Sequence, residues 1–91
     1  AAPTAVALIQ VLNGPNAGKV LELAKNLTTL GKPGMQVAVI SRRPEGVYVT
    51  HVEGAKFPTV NGTPLDGEAF QLEDKDVVEI AGVRMELIIR P

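Results

Sequence analysis

What most constrains this chain is how often its apolar runs are interrupted. Short stretches rich in Val, Ile and Leu alternate with clusters of Gly, Pro and Asn, at roughly the 8 to 12 residue spacing expected of an all-β sandwich or barrel. Val6 to Leu12 ends at Asn13-Gly14-Pro15-Asn16, and Lys19 to Ala24 and Leu27 to Leu30 lead into the Gly31-Lys32-Pro33-Gly34 turn. Gln36 to Ile40 and Val47 to Val52 read as an antiparallel pair separated by the polar turn Ser41 to Gly46. Val77 to Ile80 and Val83 to Ile89 join through Ala81-Gly82. In the last of these, Val83, Met85, Leu87 and Ile89 alternate with Arg84, Glu86 and Arg90, the period-two pattern of one buried and one wetted face; Ile88 breaks it. No segment carries a helical period, so the expected fold is an antiparallel β-sandwich of short strands.

Size and charge narrow the function. Ninety-one residues suit one domain, residues 1–91 with a core over about 6–90, and a chain of this length buries roughly 60 to 65% of its extended surface. Nine basic against ten acidic side chains give a net charge of −1, which provides no general field for neutralising phosphates. With two Phe, one Tyr and no Trp, the core must be aliphatic and stacking platforms for single-stranded nucleic acid are missing. The expected partner is therefore not nucleic acid. There is no cysteine, which removes disulfides, thiolate nucleophiles and Cys-ligated metals and suits a cytoplasmic setting. The opening Ala-Ala-Pro-Thr-Ala-Val-Ala lacks a basic n-region and reads as neither signal peptide nor membrane span.

Few segments suggest chemistry. Gly14-Pro15-Asn16-Ala17-Gly18-Lys19 is superficially like a phosphate-binding P-loop, but three residues separate its glycines where four are needed, and Val20 stands at the metal-binding Ser/Thr position. A strand-connecting turn is expected there. His51 shares a strand face with Val47 and Val49 and is expected to be a hydrogen-bonded structural residue, since no Cys or second His completes a zinc set and no triad is announced. Glu73-Asp74-Lys75-Asp76 lacks calcium-loop spacing and reads as a solvated turn. Asn26-Leu27-Thr28 and Asn61-Gly62-Thr63 fit the glycosylation pattern, which matters only on export. No catalytic residue, metal or cofactor is implied; a small hydrolase or nucleotide-binding protein is the disfavoured reading. The remaining group is basic: Lys32 in one turn, Arg42 and Arg43 in the next, and Lys56 before Asn61-Gly62. If these turns meet at one end of the sandwich, they could hold an acidic peptide or a phosphate.

Almost end to end, the sequence resembles the forkhead-associated (FHA) domain, a β-sandwich reader of phosphothreonine peptides. Leu8-Ile9-Gln10-Val11 with Gly14-Pro15 and Gly18 looks like the opening hairpin, and Thr29-Leu30-Gly31-Lys32 is similar to the Gly-Arg segment. Val60-Asn61-Gly62, Leu65, Gly67 and the run Leu72 to Gly82 resemble the closing pattern, its most specific part, with Lys75 in place of a usual glycine. Asn61 and Gly62 are then the later, structural pair of the pattern, supplying turn conformations before Leu65 packs inward.

Two placements of the binding residues compete. One lays Ser41-Arg42-Arg43-Pro44 on the family's Ser-Arg-x-His, keeping the phosphate-binding serine, but then sets an apolar strand on Pro44-Glu45-Gly46-Val47. The preferred one lays Ala38-Val39-Ile40 on that strand. It puts Gly34 at the serine, Val37 at the histidine, and Lys56-Phe57 at the Asn-Gly pair that normally holds the peptide backbone. Phosphothreonine, with a charge of about −1.5 to −2, needs several convergent donors; only Lys32 remains, without the bidentate fork of Arg. The resemblance thus implies a non-enzymatic protein-interaction module whose partner is a protein or peptide, with phosphothreonine recognition lost or altered. The alternative keeps phosphopeptide or acidic-peptide binding in a rearranged pocket of Lys32, Ser41, Arg42 and Lys56, with Arg43 beside it.

Overall fold

A computed structural model describes residues 6–90, which form ten strands: β1 Val6–Val11, β2 Val20–Glu22, β3 Leu27–Lys32, β4 Gln36–Arg43, β5 Gly46–Glu53, β6 Thr59–Val60, β7 Thr63–Pro64, β8 Phe70–Leu72, β9 Val77–Ile80 and β10 Val83–Arg90. They make two antiparallel sheets, ordered β2-β1-β10-β9-β6-β7 and β3-β4-β5-β8. Among the described residues no helix is long and apolar enough to cross a membrane. The all-β sandwich expected from the turn spacing is the fold observed.

The alternation of side chains along each strand builds the core. Ala7 and Ile9 in β1 face inward with Leu87 and Met85 of β10, while Ala38, Ile40, Val47 and Val49 close the space from the second sheet. Burying each large aliphatic side chain contributes about 1.5 to 3 kcal/mol. Leu65 is buried as expected, and so is Leu23, which the loop after β2 carries inward. Ile88 does keep step with the alternation. It pairs with Leu8 on the outer face of the six-stranded sheet, so it is an apolar residue on the wetted side and not a change of period.

Three features differ from the sequence-based expectation. The polar turn after Ile40 shrinks to Pro44-Glu45, because β4 continues through Ser41, Arg42 and Arg43 to pair Arg43 with Gly46. A strand pairing, β5 with β8, appears over Phe70–Leu72, where three residues are too few to show a period. A register shift sits between Val37 and Ala38, where β4 meets the end of β5.

The sheet edges are unequal. β2 and β8 have three residues each and β7 only two, one of them Pro64, whereas β3 runs for six.

Strand directions sort the connections into two sets. The β1–β2, β3–β4, β5–β6, β7–β8 and β9–β10 connections lie at the upper end of the sandwich. The β2–β3, β4–β5, β6–β7 and β8–β9 connections lie at the lower end.

Candidate functional site

The five polar residues singled out from the sequence do not converge. Lys32 closes β3 opposite Gln36, and the carbonyl of Lys56 accepts a hydrogen bond from Gln36 Nε2 at 2.7 Å, so these two lysines flank one residue at the upper end. Ser41, Arg42 and Arg43 lie toward the far end of β4, about 20 Å away at the usual rise per strand residue. Ser41 is buried. Arg42 donates from Nη1 to the carbonyl of Leu23 at 2.9 Å, and the Arg43 guanidinium lies 4.5 Å from the centre of the Tyr48 ring. A single anion pocket holding Lys32 together with Ser41 and Arg42 is therefore not the arrangement present; the strand that replaces the expected turn separates them. Ala38-Val39-Ile40 lie within strand β4, and the chain turns at Pro44-Glu45.

At the upper end the backbone is drawn tight under an open surface. A Cβ at Gly31 would lie 2.1 Å from the Gln36 carbonyl oxygen, at a φ of +110°, so only glycine fits where β3 meets β4. Gln36 then bridges the two sheets, its Nε2 donating to Lys56 and its Oε1 accepting from the Ala81 amide. In the short β3–β4 turn, the amide of Gly34 donates to Glu53 Oε1 at 2.7 Å. The Gly34 backbone donor is thus already occupied by the chain's own carboxylate.

Above this frame stand Met35, Val52 and Phe57, each more than a third exposed. Phe57 stacks on His51 with ring centroids 4.0 Å apart. The hydrogen-bonded histidine expected from the sequence is not what forms: Nδ1 of His51 is buried without a hydrogen-bond partner among the described residues, and stacking holds the ring instead.

Beside Lys32 the two sheets part to leave a cleft of about 250 Å³. Leu30 and Val83 form its walls and Ile80 and Met85 its apolar floor, with Asn13, Asn16 and Lys32 at the mouth. Asn13 is fixed, donating from Nδ2 to the Gly82 carbonyl at 3.2 Å and accepting at Oδ1 from the Arg84 amide at 2.8 Å. The neighbouring P-loop-like segment is the expected turn, closed by Gly18 N to the Val11 carbonyl at 2.7 Å and followed by strand β2.

The lower end carries the turn chemistry. Asn61 (φ 52°) and Gly62 (φ 86°) form the two-residue loop between Val60 and Thr63, both with the positive φ that a type I′ hairpin requires. Asn61 also donates from Nδ2 to Asp76 Oδ1 and accepts at Oδ1 from the Val77 amide, both at 2.9 Å. Asp76 Oδ2 accepts from Glu73 N, and Asp74 Oδ1 accepts from Ile89 N, each at 2.8 Å. The acidic run is therefore a hydrogen-bonded knot rather than a merely solvated turn. Lys75, in place of a usual glycine, sits at φ 74°, a conformation that costs a side-chain-bearing residue on the order of 1 kcal/mol.

Glu53, Met35, Phe57 and the cleft were not among the residues picked from the sequence. The only signal was Lys56-Phe57 falling on the position of the peptide-holding pair.

This two-sheet architecture recurs in solved FHA domains. One comes from a structural and functional study of phosphothreonine-dependent FHA domain interactions. It superposes with a TM-score of 0.77 over 94% of this chain and 98% of its own, at 18% identity. A second, the Rv0020c FHA structure, gives 0.76 over 97% and 96%, at 17% identity. The chain therefore has the FHA-like fold. No family model and no curated protein sequence matches it.

Proposed function

We propose that residues 6–90 act as a single, non-enzymatic protein-interaction domain of FHA-like fold. It contacts its partner through the upper end and no longer selects phosphothreonine. The observation that carries this reading is the Gly34–Glu53 hydrogen bond. A phosphate approaching the β3–β4 turn would meet a backbone donor already in use and a carboxylate that repels it, and Val37, at the histidine-like position, is a buried apolar side chain. Desolvating a dianion requires several charge-assisted donors. Lys32 and Lys56 alone do not supply that set, although they suit an acidic partner that also covers Met35, Val52 and Phe57. A cytoplasmic setting belongs to the same reading, in keeping with a cysteine-free composition.

Isothermal titration with phosphothreonine peptides and their unphosphorylated counterparts tests the loss of selectivity. The expected result is a ratio of affinities below about tenfold, or roughly 1.4 kcal/mol. A larger preference for phosphate that disappears in Lys32→Ala would overturn it. Hydrolysis of a nucleotide or ester that a single substitution abolishes would overturn the non-enzymatic part.

A further inference from the structure

The cleft beside Lys32 has a size and chemistry that the end-loop surface alone does not explain. At about 250 Å³ it falls below the range of roughly 300 to 1,000 Å³ occupied by cofactors and drug-sized ligands, and is closer in scale to one amino-acid residue. Its interior is apolar, with Leu30 and Val83 partly buried against a floor of Ile80 and Met85. Among its lining residues Lys32 alone is charged, and the ammonium has no ion-pair partner among the described residues. Asn13 is committed to Gly82 and Arg84, so one side of the mouth is a fixed wall, while Asn16 brings a second side-chain amide to the rim.

An occupant matched to this arrangement has a branched aliphatic group a few ångströms from a single negative charge. A peptide's last residue meets both conditions on one Cα atom. Capture of terminal carboxylates is an established mode of peptide recognition, and a buried aliphatic anchor in a desolvated pocket is where binding energy concentrates.

We infer that the cleft is a binding site for the C-terminal residue of a partner chain. A Leu, Ile or Val side chain enters between Leu30 and Val83, and its α-carboxylate rests on Lys32 with Asn16 beside it. This builds on the interaction-module reading and names what part of the partner the upper end takes.

The probe is the hexapeptide Gly-Ser-Gly-Ser-Gly-Leu, titrated into the protein while backbone amide and side-chain methyl resonances are followed. Three forms are compared: the free acid, the C-terminal amide, and the free acid with Gly in the last position. The free acid should shift Leu30, Val83 and Met85 together, and either change should weaken it at least tenfold. Lys32→Gln, at an exposed site that leaves the fold intact, should bring the free acid down to the amide's affinity, and Lys25→Gln, at an exposed position of the β2–β3 connection at the opposite end, should leave it unchanged. Val83→Phe, which fills the cleft, should remove binding altogether.

Equal affinity for acid and amide would overturn the inference. So would shifts centred on Phe57 and Val52 instead of the cleft, although those would leave the interaction-module reading standing. If no peptide, phosphorylated or not, moves any upper-end resonance at millimolar concentration, both fall.

Discussion

At the lower end, Asn61, Asp74 and Asp76 turn their polar atoms back onto backbone amides and onto each other. At the upper end, Met35, Val52 and Phe57 stand in solvent beside Lys32 and Lys56, and a cleft opens between the sheets. The lower connections run two to four residues, whereas at the upper end β1–β2 takes eight and β5–β6 five. Side-chain use differs as well. The lower end spends its hydrogen-bonding groups on holding connections together. At the upper end that task falls to Gly31, Gln36, Asn13, Asp66 and the Gly34–Glu53 contact, and Lys32, Met35, Val52, Lys56 and Phe57 remain exposed.

The contrast can be broken first at Gly31. Gly31→Ala places a methyl group against the Gln36 carbonyl oxygen at a φ unsuited to alanine; the expected loss is on the order of 3 to 4 kcal/mol in urea unfolding. A loss under about 1 kcal/mol would mean that the upper frame is not tight. Asn61→Ala removes two hydrogen bonds and leaves alanine at positive φ, with an expected cost of about 2 kcal/mol and no change in peptide binding. Arg42→Ala should lower stability by about 1.5 kcal/mol through its bond to Leu23, again without affecting binding. A binding defect of tenfold or more would return Arg42 to the contact surface.

Smaller effects sharpen the comparison. Lys75→Gly relieves the positive φ within the acidic knot and should raise stability by about 0.5 to 1 kcal/mol, measured as a higher unfolding midpoint. Met35→Ser should stay within about 0.5 kcal/mol of the parent, yet weaken any partner that covers the upper end.

What could be read from the sequence follows the same division. The Asn61-Gly62 hairpin was legible because a two-residue turn with two positive φ angles has local chemistry, carried by the residues in it. The pairing of β4 with β5 followed from the pattern of apolar runs and turns, and the inward position of Leu65 from the FHA resemblance. Ser41 to Arg43 misled because Ser, Arg and Arg before Pro look like a turn. Their incorporation into β4 depends on Leu23, Tyr48 and the facing strand, contacts that no window of neighbouring residues contains. His51 was placed on the right strand, but its stacking partner comes from the following loop. At the upper end, Lys32 and Lys56, which the FHA resemblance brought forward, both lie beside Gln36, whereas the Gly34–Glu53 bond joins residues nineteen apart and leaves no trace in composition or spacing.

The inequality of the four sheet edges bears on how the chain behaves when crowded. Strands of two or three residues, one ending in proline, offer little to a neighbouring backbone, so β2, β7 and β8 are poor templates for intermolecular pairing. β3 presents six residues, with an exposed Leu27 at its start and Lys32 as its sole charge. Protection against self-association at high concentration therefore falls largely on one lysine, the same residue that stands at the mouth of the cleft.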